Sequence, residues 1–332
     1  MPTAFCRPLK LDNPPRHLIL ITTLLLVPVL TLLTLSFNAH RLNRLSFSCS
    51  SRTAPQHGGD CEAIGEPRRP SWACTQNMKD AIPEFISLYN SRPIQNNFGG
   101  VLFDHAFALW YTLRMEQPKI VIESGAFKGL TTWLIREALP AARIISIDPA
   151  NRARTLRGVE YMTGNNFTDF ASIDWAAKGV NAQDTIVFLD DHQSAFRRIF
   201  AENKHSFTRF IVEDNYDYLK GDNMSLKWVC ERSRKSLWQG TVRDNFGKNK
   251  TSQSWEQHLE LGERLNSSFR TYYEFPPLAS SSMTGQTRYD ELHSTPAIVT
   301  DRAFFDKHLS RFDKRQFAGY THLCFAELLA AT

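Results

Sequence analysis

Two short acidic runs carry the clearest chemistry in this chain. Asp190-Asp191-His192 follows the run DTIVFL, and Glu213-Asp214-Asn215 follows FTRFIV. Both apolar runs have the length and composition of buried strands, so each acidic run sits at a strand's carboxyl end. Carboxylates gathered there repel one another and raise each other's pKa unless something positive sits among them. A hard divalent cation with oxygen ligands, Mg²⁺ or a relative, is the simple solution. Its candidate ligands are Asp190, Asp191, Glu213, Asp214 and Asn215. Such an ion would orient an acceptor hydroxyl and lower its pKa. The same carboxylates also suit solvated strand ends and helix caps. His192 is a candidate general base, with Asp190 the second candidate catalytic group, or else a hydrogen-bond partner of the acids.

A third acid opens a glycine turn. Residues 119–148 read KIVIESGAFKGLTTWLIREALPAARIISID. The apolar run Ile120 to Ile122 ends on Glu123, then Gly125 and Gly129 flank Ala126 and Phe127, and a helical pattern follows. Arg143 to Ile147 is a second strand ending on Asp148. A dinucleotide site would want G-x-G-x-x-G to cradle a pyrophosphate. Here the spacing is Gly-x-x-x-Gly, and an acid at the strand end suits a cationic ligand better. Asp148 is placed to accept hydrogen bonds from ribose hydroxyls. Acid, glycine turn and ribose acid together point to S-adenosylmethionine, with Glu123, Gly125, Ala126, Phe127, Gly129 and Asp148 as its candidate contacts. The plain alternative is an ordinary tight turn into a capped helix.

These groups need a sheet to bring them together. Strand candidates at 120–122, 143–147, 158–163, 184–189 and 207–212 alternate with helical patterns. The economical fold is α/β: a doubly wound, mostly parallel Rossmann-like sheet with helices on both faces. Helices are expected over 78–89 and 103–115, from Gly164-Asn165 through Phe170 and Trp175, and over 194–203. Closing strands are expected at 269–275 and 321–327. Residues 216–268 are polar and weakly periodic, long for a loop, and read as a lid or insertion. Trp228, Trp238 and Trp255 there suit either an acceptor platform or a small core. Trp110 and His105 could wall a cofactor pocket, although aromatic residues at helical spacing are more often core.

The rest of the chain bounds the setting. It has 332 residues and a formal net charge of +5, spread without aromatic–basic interleaving, which argues against nucleic acid. Leu18 to Phe37 is about twenty residues without a charge, long enough to span a bilayer as a helix. No small-x-small cleavage site follows it, so a retained signal anchor is expected. That gives a cytosolic tail over 1–17, an anchor over 18–37, a Ser/Pro/Gly-rich stem over 38–75 and a globular domain over 76–332. The expected orientation is type II, with the domain in the lumen of the endoplasmic reticulum or Golgi. Sequons at Asn166, Asn223, Asn249 and Asn266 agree mildly with that setting. The cysteine spacing fits no zinc motif. Disulfides among Cys49, Cys61 and Cys74 are conceivable in an oxidising lumen, and Cys6 beside the anchor is a candidate for acylation.

In order, VIESGAFKG, IISID, VFLDDH and FIVEDN resemble a class I, Rossmann-like S-adenosylmethionine-dependent methyltransferase. Within that superfamily the chain is similar to the metal-dependent O-methyltransferases of the catechol and cephalosporin hydroxylase-like types. The resemblance covers roughly residues 100–215. It implies that Glu123, Gly125 and Gly129 form the cofactor loop and that Asp148 binds ribose. Asn165 stands where the family often has an acid near the adenine. Asp190 matches the first metal aspartate, with Asp191 competing, and Asp214 matches the second. The catechol-like alignment gives Asn215 as third ligand, the cephalosporin-like one Glu213. Where the catechol type has a lysine base, this chain has His192-Gln193. The expectation is methyl transfer from S-adenosylmethionine to a hydroxyl of a glycan, sugar or small molecule, aided by Mg²⁺ or a similar cation. The alternatives are a methyltransferase-like scaffold without turnover and, against the glycine spacing, an NAD-dependent oxidoreductase.

Overall fold

The middle of the chain is a run of short strands that are apolar on both sides. In the computed structural model β1 (Ile120–Ser124), β2 (Arg143–Asp148), β3 (Val159–Thr163), β4 (Thr185–Leu189) and β5 (Arg209–Val212) pair in parallel. The hairpin β6 (Thr241–Asp244) and β7 (Asn249–Ser252) pairs only with itself. The strands β8 (Phe269–Glu274) and β9 (Cys324–Leu328) close the sheet antiparallel, giving the order β3-β2-β1-β4-β5-β9-β8. The structure describes residues 69–153, 155–285, 296–317 and 323–329. The expected tail, the anchor, most of the stem, Cys6, Cys49 and Cys61 lie outside them. Among the described residues no helix is long and apolar enough to cross a membrane.

Alternate strand residues feed two cores. Val121, Ile144, Ile186 and Phe188 pack under α1 (Thr75–Asn90), α2 (Phe103–Glu116) and α3 (Leu130–Ala138). Ile122, Ile145, Val187 and Leu189 pack on the other face, under α4 (Ala195–Phe200), α5 (Leu226–Cys230) and α6 (Trp255–Ser268). Two covered faces explain why these strands read as near-continuous apolar runs rather than as alternation. Two shorter helices, α7 (Ser281–Thr284) and α8 (Arg302–His308), lie in the segment between β8 and β9.

The expected doubly wound α/β sheet is therefore present. The helix expected through Phe170 and Trp175 is not: only 3₁₀ turns form, at Gly164–Asn166 and Phe170–Ser172. Five residues separate the two aromatic rings, poor spacing for one helical face. Both rings are buried instead, with Trp175 Nε1 donating to the Phe170 carbonyl at 3.2 Å. The helix expected over 194–203 stops at Phe200, because Asn203 exchanges hydrogen bonds with Phe207 and starts the turn into β5. Residues 216–268 hold α5, the hairpin and α6. Trp228 is core, Trp238 and Trp255 pack with His258, and none of the three lines the cleft at the carboxyl ends of the strands. Trp110 is core as well. Of the sequons, Asn223 is fully buried whereas Asn166 and Asn249 are exposed.

The chain reverses its winding direction between β1 and β4, which lie side by side. A doubly wound sheet opens a crevice at such a switch point, outside the carboxyl ends of the strands. Ser124 and Leu189 are paired at that edge, directly before Gly125 and Asp190.

Candidate active site

Gly125 makes the first half of the site. Its φ is 99°, a left-handed conformation that costs glycine little. A Cβ there would stand 1.9 Å from the Asp190 carbonyl oxygen. The glycine thus lets the β1 turn lie against the β4 turn. Past it the chain folds over Asp148: Oδ2 accepts the backbone N–H groups of Ala126 at 3.0 Å and Phe127 at 2.8 Å, and Oδ1 accepts Ala150 at 2.7 Å. Phe127 is held at φ 45°, and Gly129, at φ 88°, starts α3.

Gly125, Phe127 and Asp148 line a cleft of about 930 Å³. Glu123, Gly129 and Asn165 do not line it. The expected strand end at Ile122 was two residues short: β1 continues through Ser124, and Glu123 lies within it. Fully buried, Glu123 accepts the hydroxyls of Thr132 and Ser146, each at 2.6 Å, through Oε2. Burial raises its carboxyl above the usual range, opposed by the Ser146, Thr131 and Thr132 hydroxyls. Through Oε2, Glu123 therefore fixes the start of α3 to β2. Asn165 is exposed on its 3₁₀ turn, while the neighbouring Phe167 and Asp169 line the cleft.

The carboxylates divide sharply. Asp190, Asp191 and Glu213 line the cleft with His192. Asp191, however, is already paired: Arg198 Nη2 stands 2.9 Å from Oδ2, and the Ser124 hydroxyl donates to the same oxygen at 2.7 Å. Asn215 is fully buried away from the cleft. Its amide donates to the Tyr272 hydroxyl at 2.9 Å and accepts the Lys227 N–H at 2.8 Å. Both ends of the side chain that the catechol-like alignment gives as a ligand are engaged in these bonds. Glu213 is bound to His105 Nδ1 at 2.7 Å.

Asp190, His192 and Asp214 do converge, with one potential ligand atom from each lying within 4.8 Å of the others. Asp214 is 3% exposed, and neither of its oxygens accepts a well-formed hydrogen bond. Burial, then Glu213, push its carboxyl well above the usual range, with His192 and Tyr216 opposing. Burial also pushes Asp190 well up, reinforced by Glu213, Asp214, Glu123 and Asp191. Crowded buried carboxylates are costly, and a cation among them would offset that cost.

His192 is at φ 55°, and its Nδ1 stands 3.0 Å from Asp222 and 3.5 Å from Asp214. Burial alone would lower its pKa. The Asp222 hydrogen bond and the charges of Asp214, Asp222 and Glu213 outweigh burial and push it up to about 9. These acids favour the protonated ring.

The far wall of the cleft is the β6–β7 hairpin. Asp244 Oδ1 accepts the Ser194 N–H, and its Oδ2 accepts Arg197 Nε, both at 2.6 Å. Gln193 donates to Asn245 at 3.2 Å. The Phe246 N–H donates to the His192 carbonyl at 3.1 Å, and the two rings stack at 4.4 Å. The sequence reading missed these residues, along with Asp222, Ser124 and Arg198. Asn245-Phe246-Gly247 was the available turn signal, since all three take positive φ.

No family model and no curated protein matches the chain. Among solved structures it is similar to an O-methyltransferase from Bacillus cereus in complex with SAH. That match has 11% identity and a TM-score of 0.40, and covers 78% of this chain and 93% of that one. A putative O-methyltransferase from Klebsiella pneumoniae follows at 12% identity, a TM-score of 0.34 and the same two coverages. The O-methyltransferase TomG from Streptomyces achromogenes, in complex with SAM, is similar at 12% identity and a TM-score of 0.35, over 76% of this chain and 90% of that one. Likenesses this slight carry no argument about activity, which has to be drawn from the cleft.

Proposed function

We propose that the chain is an S-adenosylmethionine-dependent O-methyltransferase, assisted by a divalent cation. The observation that carries this is one cleft joining a glycine turn, closed by Asp148, to Asp190 and His192, with Asp214 buried beside them. Gly125, Phe127 and Asp148 would hold S-adenosylmethionine, which supplies an electrophilic methyl group. Asp190 and Asp214 would hold the cation, which supplies a positive charge that lowers the pKa of an acceptor hydroxyl. Phe246 and Asn245 wall the opening and exclude water from one side. The hydroxyl proton would pass to His192 or Asp190, the titratable groups that line the cleft beside the cation site.

The same proposal extends to the acceptor and the setting. The uncharged stretch over 18–37 would anchor the chain, with the domain in the endoplasmic reticulum or Golgi lumen. The acceptor would be a hydroxyl of a sugar, a glycan or a small molecule. Calorimetric titration tests the core of the reading, with S-adenosylmethionine and NAD compared on the same protein. We expect heat with S-adenosylmethionine only, lost in Asp148→Ala and kept in Asp214→Ala, with the reverse pattern for the cation. No heat with S-adenosylmethionine, with or without cation, overturns the assignment.

A further inference from the structure

We propose that the outer face of the β6–β7 hairpin docks an acidic polysaccharide, a chain of sugar units bearing carboxylate or sulfate groups, and so presents one of its hydroxyls to the cleft. This rests on the methyltransferase reading above and names the acceptor class that it leaves open.

The hairpin has two faces. Its side chains alternate, and Asp244, Asn249 and Thr251 line the cleft. Arg243 and Lys250 therefore lie on the other face, where they are directly opposite each other in the pairing. Like charges so placed destabilise a strand pair. The Arg243 guanidinium stands 3.5 Å from the Gly221 carbonyl, which sets it beside exposed Lys220. Lys248, at the turn, is exposed too, with Nζ 5.6 Å from the centre of the Phe246 ring. The acids that flank these cations in the chain are engaged elsewhere: Asp217 by Arg234, Asp222 by His192 and Asp244 by Arg197. Among the described residues, Lys220, Arg243, Lys248 and Lys250 have no carboxylate partner.

An anion held between Arg243 and Lys250 offsets their repulsion. Opposite residues of an antiparallel pair have Cα atoms about 4.5–5.5 Å apart, a span that one anionic group can bridge. The planar guanidinium matches paired anionic oxygens. The cleft sets the other end of the acceptor. Asp148, Asp169, Asp190, Asp191 and Glu213 line it, so it repels an anionic group and admits an uncharged hydroxyl. Charge outside and hydroxyl inside then belong to one extended molecule that crosses the tip of the hairpin, where Phe246 is 51% exposed beside Lys248. A single-stranded nucleic acid wants a series of stacking rings, and residues 241–252 hold one aromatic, Phe246. A bilayer surface would meet the outer face alone.

The test uses the full chain. Polygalacturonate, dextran sulfate and uncharged dextran are titrated separately by calorimetry into wild type, Lys250→Glu and Lys250→Arg, with poly(U) and phosphatidylserine vesicles as further probes. Wild type is expected to bind polygalacturonate or dextran sulfate, which tells carboxylate from sulfate, and not dextran. Lys250→Glu should lower that affinity about tenfold or more. Its Tm should be unchanged or higher, because the substitution makes an attractive cross-strand pair with Arg243. A purely structural lysine would not lose binding while the fold holds or gains. Lys250→Arg keeps the charge and should stay within about threefold of wild type. The proposal is overturned by binding of neither polyanion, by equal binding of dextran, or by unchanged affinity in Lys250→Glu. A loss in Lys250→Glu that comes with a lower Tm also overturns it, as does tighter Lys250-dependent binding of poly(U) or the vesicles. S-adenosylmethionine is titrated in parallel. Heat with it but no polyanion binding sinks the docking surface alone; the expected polyanion pattern without that heat supports the surface and sinks the methyltransferase reading.

Discussion

Glu123 and Ser146 face each other in neighbouring strands, and the serine hydroxyl donates to Glu123 Oε2 at 2.6 Å. A carboxyl so placed serves the sheet. Glu123→Gln, nearly isosteric, should leave S-adenosylmethionine affinity within about threefold while lowering stability, by roughly 1–3 kcal/mol for disturbed buried hydrogen bonds. Calorimetry and urea unfolding separate the two. Loss of most cofactor affinity in a folded Glu123→Gln protein would return this residue to the ligand.

Gly125→Ala joins the two halves of the site in one experiment. The substitution strains the left-handed backbone and drives a methyl into the Asp190 carbonyl. The expected cost is about 1–3 kcal/mol. Because the Asp190 backbone has to move, cation affinity should fall together with cofactor affinity. A variant that loses only cofactor binding would mean that the two turns are independent.

Asp191 and Asp214 should respond in opposite ways. Asp191→Asn is expected to leave cation binding unchanged and to destabilise, because buried Arg198 loses a charged partner. Breaking a fully buried pair costs about 3–5 kcal/mol, an upper bound here since Arg198 keeps Asp169 and Glu202. Asp214→Asn should abolish cation binding. Cation titration with urea unfolding of both variants reads the contrast.

Acid unfolding offers a test away from the cleft. Burial works against the Glu231 carboxylate, but the Ser233 hydroxyl and N–H and the Arg234 guanidinium outweigh it and bring its pKa from 4.5 to about 2. A group whose pKa is depressed in the folded protein contributes stability above its unfolded pKa and loses it as pH falls. Glu231→Gln should therefore lower the Tm near pH 6 and flatten its decline between about pH 4.5 and 2. An unchanged acid limb would mean that the Ser233 and Arg234 contacts hold no charge in place.

The parallel sheet was legible because its strands are apolar runs covered on both faces, and the acids after β4 and β5 were legible because those runs end abruptly. Glu123 was misplaced for the opposite reason. An acid inside a buried strand looks like the strand's end until Ser146 and Thr132 are seen to satisfy it. Asn215 and Asp191 are engaged by partners distant in sequence, Tyr272 and Arg198, which spacing alone does not announce. The hairpin was silent because its strands are mostly polar, β6 half-buried throughout and β7 exposed throughout, so no alternation marks them.

That hairpin pairs with no strand of the large sheet. Its length, turn and outward side chains can change without disturbing the register beneath the cofactor turn. On the proposed reading, acceptor preference would be housed in an exchangeable part: grafting a different loop between Thr241 and Ser252, with Asp244 kept as its tether, would be the direct route to altering what is methylated.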